Sequence, residues 1–234
     1  MSMADARHEE VTWPPLYKAC GDGHLDAARI MLDRDGRWVD RTDFSGRTLL
    51  FAACGNGHRD LARLLLEKGA DVKRARFDGC APLHMACVNG HVDVVRVLLD
   101  KGEDVNRARM DGQTPLFMAC LKGHIDVARL LLNKGAEAKL ESKNGMTPLY
   151  VAYRHNQVEV VRLLLARGVA IAPMLYRVSG YRTGGRGPTP EMVAVLGPRV
   201  EAALMAMFRE GARGWAHSDQ VADPMRVISG FYLS

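Results

Sequence analysis

The sequence of 234 residues lacks any apolar run that approaches the ~20 residues a helix needs to span a bilayer. Its first ten residues, MSMADARHEE, lack the apolar core of a secretory signal peptide, and Ser2 stands where N-myristoylation requires glycine. We therefore expect no membrane partner and a cytoplasmic location, with the nucleus as the alternative.

Recognisable catalytic sets are also missing. No Ser/His/Asp or Cys/His group stands outside the repeat pattern described below. The glycine-rich stretch SGYRTGGRGP, residues 179–188, lacks the GK[ST] ending of a phosphate-binding loop and follows no buried strand. We expect no enzyme activity, no cofactor and no metal.

What the sequence does contain is a repeat of about 33 residues. Residues 78–110 and 111–143 align without a gap and share sixteen of thirty-three residues. A fixed period of this length indicates an array of stacked repeats.

Each residue class in residues 111–143 favours one local structure. Thr114 is a good helix N-cap, and Pro115 occupies the first helical position, where its missing N–H costs nothing. The first helix should stop at Gly123, and a second should begin near Ile125 and close at Gly135. The polar residues that follow predict an exposed hairpin-like loop.

These features resemble the ankyrin repeat, whose marks are a TPLH-x-A start, a central Gly-His, a paired leucine run and a terminal Gly-Ala-Asp. The resemblance implies an all-α solenoid of about six helix-turn-helix repeats with hairpin-like loops. We expect a flexible N-terminus at 1–11, the repeat domain at 12–212 and a C-terminal tail at 213–234. The sixth repeat is divergent, with an insertion near 174–187.

Three units depart from the family pattern, the second because Leu49 stands where the family has proline. Ala81 stands where the capping threonine is expected, at a cost of about 1 kcal/mol. In the fifth unit, Asn156 and Gln157 replace the central Gly-His.

The resemblance also implies that Asn106 is the acceptor in a loop of the kind that asparagine hydroxylases modify.

Four of the five cysteines recur at one position of the unit, at steps of 34, 33 and 33: Cys20, Cys54, Cys87 and Cys120. Stacked helices lie about 8–10 Å apart, whereas a disulfide requires Cα atoms closer than roughly 7 Å. We therefore expect small buried thiols that do not bridge.

The histidines follow the same logic. His24, His58, His91 and His124 form a ladder with one member per unit, so they do not converge as a zinc site requires. We expect them to form local hydrogen bonds at the turn between the two helices. The aromatic residues near the start of the first helices, Tyr17, Phe51, Phe117 and Tyr150, are predicted core residues.

The formal net charge is +5, with twenty-four arginines against eight lysines. This mild excess favours acidic partners but does not establish nucleic-acid binding.

The freely varying positions of the unit predict the binding surface. The resemblance implies that loop tips and the exposed side of the first helix line a concave face. The predicted partner-binding residues are Phe44, Arg47, Arg74, Arg76, Phe77, Arg107, Arg109, Met110, Leu121, Lys122, Lys143 and Met146. Phe44, Phe77 and Met110 are equivalent by alignment and should form an exposed apolar row beside arginines. The alternative is that Phe77 and Met110 only pack one loop against the next.

We interpret the chain as a monomeric protein-interaction module, a scaffold or adaptor, whose protein partner has acidic and apolar features. The alternative is a binder of nucleic acid or an anionic surface that uses the arginine-rich tips and the 179–188 loop. Binding to phosphates would weaken steeply with salt, whereas an apolar contact would not.

Overall fold

The computed structural model describes residues 13–171, 189, 191–192 and 194–197. These residues form helices and turns, with no strand among them. Ten α-helices follow one another: α1 Trp13–Asp22, α2 Leu25–Arg34, α3 Leu49–Gly55, α4 Arg59–Glu67, α5 Pro82–Val88, α6 Val92–Asp100, α7 Pro115–Lys122, α8 Ile125–Asn133, α9 Pro148–Arg154 and α10 Val158–Ala166.

Consecutive helix pairs form repeats 1 to 5, from α1–α2 to α9–α10. A short 3-10 helix, Gly36–Trp38, follows α2, where the sequence has one extra residue. The all-α repeat solenoid is therefore confirmed. The predicted segments 1–11, 174–187 and 213–234 lie outside the described residues.

Threonine caps start the first helices as the sequence predicts. The hydroxyl of Thr114 accepts a hydrogen bond from the amide of Phe117 at 3.2 Å, and Thr48 and Thr147 cap α3 and α9 in the same way. Each bond satisfies one of the backbone donors that a helix N-terminus leaves without an intrahelical partner.

Repeat 3 starts its first helix without a threonine. The amide of Ala81 donates to Nδ1 of the buried His84 at 3.2 Å. Burial lowers the pKa of His84 to about 4, so the imidazole is neutral and Nδ1 can accept. The amide of His84 in turn donates to the carbonyl of Ala81 at 3.0 Å. His84 therefore replaces part of the missing cap.

The first helices approach one another more closely than the second helices do. Their mutual contact is made by small side chains, since Ala53, Cys54, Ala86 and Cys87 are fully buried. Side chains of this size let helix backbones come close, whereas the second helices carry leucines and valines. The resemblance implies a concave face on the side of the first helices and their hairpins, and such a face requires this unequal spacing.

All five cysteines are buried free thiols, as expected for small core residues. Burial raises the pKa of Cys20 to about 12 and raises that of Cys54, Cys87 and Cys120 as well. The aromatic predictions are confirmed for three residues, because Phe51, Phe117 and Tyr150 are buried, while Tyr17 is half-buried.

His58, His91 and His124 hydrogen bond to the preceding repeat, so the prediction of local hydrogen bonds is wrong for these three. Nε2 of His58 donates to the carbonyl of Gly21 at 2.8 Å, and Nε2 of His124 donates to the carbonyl of Val88 at 2.8 Å. Each carbonyl belongs to the preceding repeat. These carbonyls lie at the C-terminal end of the first helix of that repeat, where an oxygen has no intrahelical donor.

Repeat 5 breaks this ladder. Asn156 replaces the central glycine and takes the left-handed conformation with φ +56°. Gln157 packs against Gly123 of the preceding repeat, in the place that a histidine occupies in repeats 2 to 4. The hydroxyl of Thr189 hydrogen bonds to Oδ1 of Asn156 at 2.9 Å. Asparagine tolerates this conformation better than most residues because its side chain forms local hydrogen bonds.

Helical structure continues beyond the fifth repeat. Residues 191–192 and 194–197 are helical, and Thr189 accepts from the amide of Met192 at 3.4 Å. Met192 and Leu196 are fully buried in the common core. This segment covers the end of repeat 5, and a complete sixth repeat remains a prediction.

Glu103 is an unusual core residue. It stands where repeats 2 and 4 have the buried alanines Ala70 and Ala136, and its side chain is 1% exposed. Oε1 lies 3.4 Å from the guanidinium of Arg107, and Oε2 has no hydrogen-bond partner among the residues that the structure describes. Burial raises the pKa of Glu103, and Arg107 offsets that shift only in part.

Gly90 and His124 provide a test of the packing between repeats. Gly90 has φ +78°, and a Cβ atom there would lie 2.7 Å from Nδ1 of His124. Gly102 has φ +87° with open space around it. We predict that Gly102→Ala costs about 1 kcal/mol of unfolding free energy from backbone strain alone. Gly90→Ala should cost at least twice as much in urea denaturation.

The double variant Gly90→Ala/His124→Ala separates strain from the steric clash. Removing the imidazole frees the space for Cβ, so the two substitutions should be less destabilising together than the sum of their separate effects. Equal costs for Gly90→Ala and Gly102→Ala would show that the imidazole does not pack against this glycine.

Glu103→Ala should stabilise the protein by on the order of 1 kcal/mol at pH 7, because it removes a buried carboxylate oxygen that has no partner. A carboxyl whose pKa is higher in the folded than in the unfolded state lowers the free energy of unfolding when it is ionised. The full cost applies above the folded pKa, and the cost disappears as pH falls below the unfolded pKa. The gain in melting temperature should therefore shrink between pH 7 and pH 4. A loss of stability at pH 7 would contradict this account.

Candidate functional site

Four tight hairpins project between successive repeats, and each is closed by the same two backbone hydrogen bonds. In the third hairpin the amide of Arg109 donates to the carbonyl of Gln113 at 3.0 Å, and the amide of Gly112 donates to the carbonyl of Arg109 at 2.9 Å. The fourth residue is a glycine with φ near +80° in the first three hairpins and +67° in the fourth. The hairpins span residues 43–47, 76–80, 109–113 and 142–146.

The second residue of each hairpin lies at its tip. Phe44, Phe77 and Met110 are 93%, 72% and 65% exposed, and Lys143 is exposed at the same position of the fourth hairpin. We call Phe44, Phe77 and Met110 the tip row. The exposure of the row agrees with the alignment. Phe77 does pack against the first hairpin in part, because its ring borders the space above Gly46. Most of its side chain is nevertheless exposed.

The backbone beneath the tip row is held from one hairpin to the next. The amide of Met110 donates to the carbonyl of Asp78 at 3.0 Å, and the amide of Lys143 donates to the carbonyl of Asp111 at 2.8 Å. The tips of the last three hairpins are therefore linked through their main chains. Apolar side chains stand on a fixed backbone, which limits the conformational entropy lost when a partner binds.

Arginines flank the tip row, but they are not free. Nη2 of Arg109 lies 3.3 Å from Oδ2 of Asp78 and 3.6 Å from Oδ2 of Asp111, which joins two hairpins. Arg76 lies 3.7 Å from Oδ1 of Asp78, and its guanidinium stacks over the ring of Phe51. Arg76 and Arg109 therefore lie beside the tip row, where carboxylates offset much of their charge.

Arg47 is paired within its own hairpin. Its Nε lies 2.7 Å from Oδ2 of Asp43, whose Oδ1 accepts from the amides of Ser45 and Arg47. Burial would raise the pKa of Asp43, but these amides and the guanidinium together lower it. Asp43 therefore stays ionised and closes the turn that presents Phe44.

Arg107 and Arg74 lie farther from the tips and differ from each other. Arg107 donates to the carbonyl of Lys73, which lies before the second hairpin, and also pairs with the buried Glu103. Arg74 is exposed, and no contact with a carboxylate is found for it in the described part of the chain. Of the predicted arginines, Arg74 is therefore the one that retains an accessible charge.

The remaining predicted residues divide by burial. Leu121 and Met146 are half-buried and pack against the core, so they contribute mainly to stability. Lys122 and Lys143 are exposed. Lys122 lies in the last turn of α7, at the end of the first helix that is remote from the hairpins.

Asn106 connects two hairpin loops. Its Oδ1 accepts from the amide of Glu137 at 2.9 Å, and its Nδ2 lies 3.5 Å from the carbonyl of Gly135. Asp40 accepts from the amide of Asp71 at the equivalent place. The side chain of Asn106 therefore has a structural role, and its hydroxylation remains a prediction.

The sequence prediction missed Asp43, Glu103 and the paired state of the arginines. Asp78 and Asp111 each lie two residues after an arginine of the same hairpin, and Asp43 lies four residues before Arg47; these spacings were the available signal. The buried position of Glu103 could have been recognised from Ala70 and Ala136 in the same register.

The described residues contain neither a metal site nor a membrane-spanning helix. There, no cluster of His, Cys, Asp and Glu side chains could hold a metal ion. No helix in that part of the chain has both the length and the apolar character needed to cross a bilayer.

Comparison with known proteins identifies the repeat. A family model described as ankyrin repeats in three copies matches residues 2–76, 42–109 and 105–174. Together these matches cover well over half of the chain. No relative was found among the curated proteins.

Proposed function

Because the chain belongs to the ankyrin-repeat family, we propose that it acts as a scaffold or adaptor whose protein partner binds across the hairpin tips. Proteins of this family generally mediate protein–protein interaction and are typically not enzymes. The tip row is the observation that carries the proposal, since it exposes three large apolar side chains on one edge of the stack.

The chemistry of the tips supports binding to a protein. Phenylalanine, methionine and arginine are enriched at protein interfaces relative to the rest of a protein surface. Binding energy in such interfaces is concentrated in a few central side chains, surrounded by contacts that exclude water. Phe77 and Met110 suit the centre, and the paired Arg76 and Arg109 suit the rim.

The nucleic-acid alternative receives less support. Phosphate binding requires accessible cations along the bound strand, whereas carboxylates engage Arg47, Arg76, Arg107 and Arg109. The 179–188 loop lies outside the described residues. We therefore retain a monomeric protein-binding module as the proposal, and the five free thiols suit a reducing compartment such as the cytosol or nucleus.

The test separates binding from folding. Phe77→Ala/Met110→Ala should leave the melting temperature nearly unchanged, because exposed side chains rarely change stability by more than about 0.5 kcal/mol. The same pair should weaken partner binding by about 2 kcal/mol, roughly thirtyfold in Kd. The control is Ile30→Ala, since Ile30 is also a large exposed apolar residue, 54% accessible, but lies on α2.

Proteins captured by the full chain would be quantified in parallel for wild type, the pair and the control. A true partner is lost with the pair, is retained by Ile30→Ala and then shows the Kd change as a purified protein. Two results would contradict the proposal. A stability loss of several kcal/mol would mean that the row is packed inside the array, and unchanged binding of every captured protein would mean that it is not the interface.

A further inference from the structure

The hairpin tips change character along the stack. The first three carry Phe44, Phe77 and Met110, and the fourth carries Lys143. All four residues occupy the same position in the same turn, so the backbone presents them alike. The edge of the stack is therefore apolar beside repeats 1 to 3 and cationic between repeats 4 and 5.

A second column of side chains changes in the same direction. One residue per repeat is exposed at the C-terminal end of the first helix, in the order Asp22, Asn56, Asn89, Lys122 and His155. The residue types along the stack are thus acidic, neutral, neutral, basic and imidazole, and Asp22 in repeat 1 is paired with Lys18. Arg154, just before His155, adds a further exposed cation in repeat 5.

Pairing sharpens this polarity. Carboxylates engage Arg76 and Arg109 beside the tip row, and Arg74, which has no ion pair in the part of the chain that the structure describes, lies farther from the tips. Lys122, Lys143 and Arg154 form no ion pair within the described residues. Acidic residues do occur nearby. Glu141 is exposed two residues before Lys143, and Asp126 follows Lys122 on α8.

These acids do not cancel the change along the stack. An acidic residue recurs at the position of Asp126 in all five repeats, as Asp26, Asp60, Asp93, Asp126 and Glu159. A group present in every repeat adds the same charge to each. Glu141 offsets one cation, and two uncompensated cations remain at this end.

We propose that the bound segment is a linear peptide with apolar side chains at one end and carboxylates at the other, the carboxylates lying over repeats 4 and 5. This inference rests on the proposed function, because it assumes that a protein occupies the concave side. Complementary charge on the peptide fixes its direction along the stack. A nucleic acid is disfavoured, since it carries negative charge along its whole length, whereas the first three tips are apolar.

The test uses the full chain and displayed random peptides of about 15 residues, long enough in extended form to cross three repeats. Enriched peptides should contain an apolar cluster and an acidic cluster in one fixed order. Binding of the synthetic peptides should weaken at least about tenfold on Lys122→Glu/Lys143→Glu/Arg154→Glu. The control Arg29→Glu/Arg63→Glu/Arg129→Glu makes the same change of net charge on exposed second-helix positions.

Photo-crosslinking then reports direction. A crosslinker at the acidic end should label residues 122–154, and one at the apolar end should label residues 44–77. The opposite labelling, equal weakening by the control, enriched peptides without an acidic cluster, or no enrichment would each overturn the inference. So would tighter binding of a single-stranded DNA oligonucleotide that the first triple variant abolishes.

The same peptides distinguish this failure from failure of the proposed function. Peptides that lose affinity on Phe77→Ala/Met110→Ala but not on charge reversal leave the tip row as the interface and overturn only the polarity. Peptides insensitive to both variants contradict both proposals.

Discussion

The close packing of consecutive first helices is the contact on which the rest of the structure depends. Fully buried alanine and cysteine side chains allow this approach in repeats 2 to 4, whereas the half-buried Tyr153 stands at the cysteine position in repeat 5. The closer spacing of the first helices is what a concave face on their side requires. It also brings the hairpins near enough for the amide of Met110 to reach the carbonyl of Asp78.

The atoms that stabilise the hairpins are consequently different from the atoms that we propose bind the partner. Main-chain hydrogen bonds join the last three hairpins, and the pair of Arg109 with Asp78 adds a link between two of them. The tip side chains are exposed. Changes at the tips therefore need not disturb the fold. This separation is how one repeat architecture can serve different partners, with function residing in the side chains that it presents.

The fold was predictable because its signals are local and recur in register. The threonine cap, the helix-closing glycine and the leucine stripe each act within one repeat, so one unit suffices to predict them. Contacts between repeats were harder to predict. The acceptor of His124 lies thirty-six residues away, and the carboxylate that neutralises Arg109 lies thirty-one residues away. The exposure of Phe77 followed from alignment, whereas the loss of free charge on Arg76 needed three-dimensional positions.

Methionine oxidation tests most directly the claim that the tip row is exposed on a fixed scaffold. Under dilute peroxide, Met110 should oxidise at nearly the rate of free methionine. The buried Met118 should oxidise at about one tenth of that rate or more slowly still. The half-buried Met85 and Met146 should fall between them. Peptide mapping by mass spectrometry gives each rate in one sample. Equal rates for Met110 and Met118 would contradict the account, because the row would then be packed within the array.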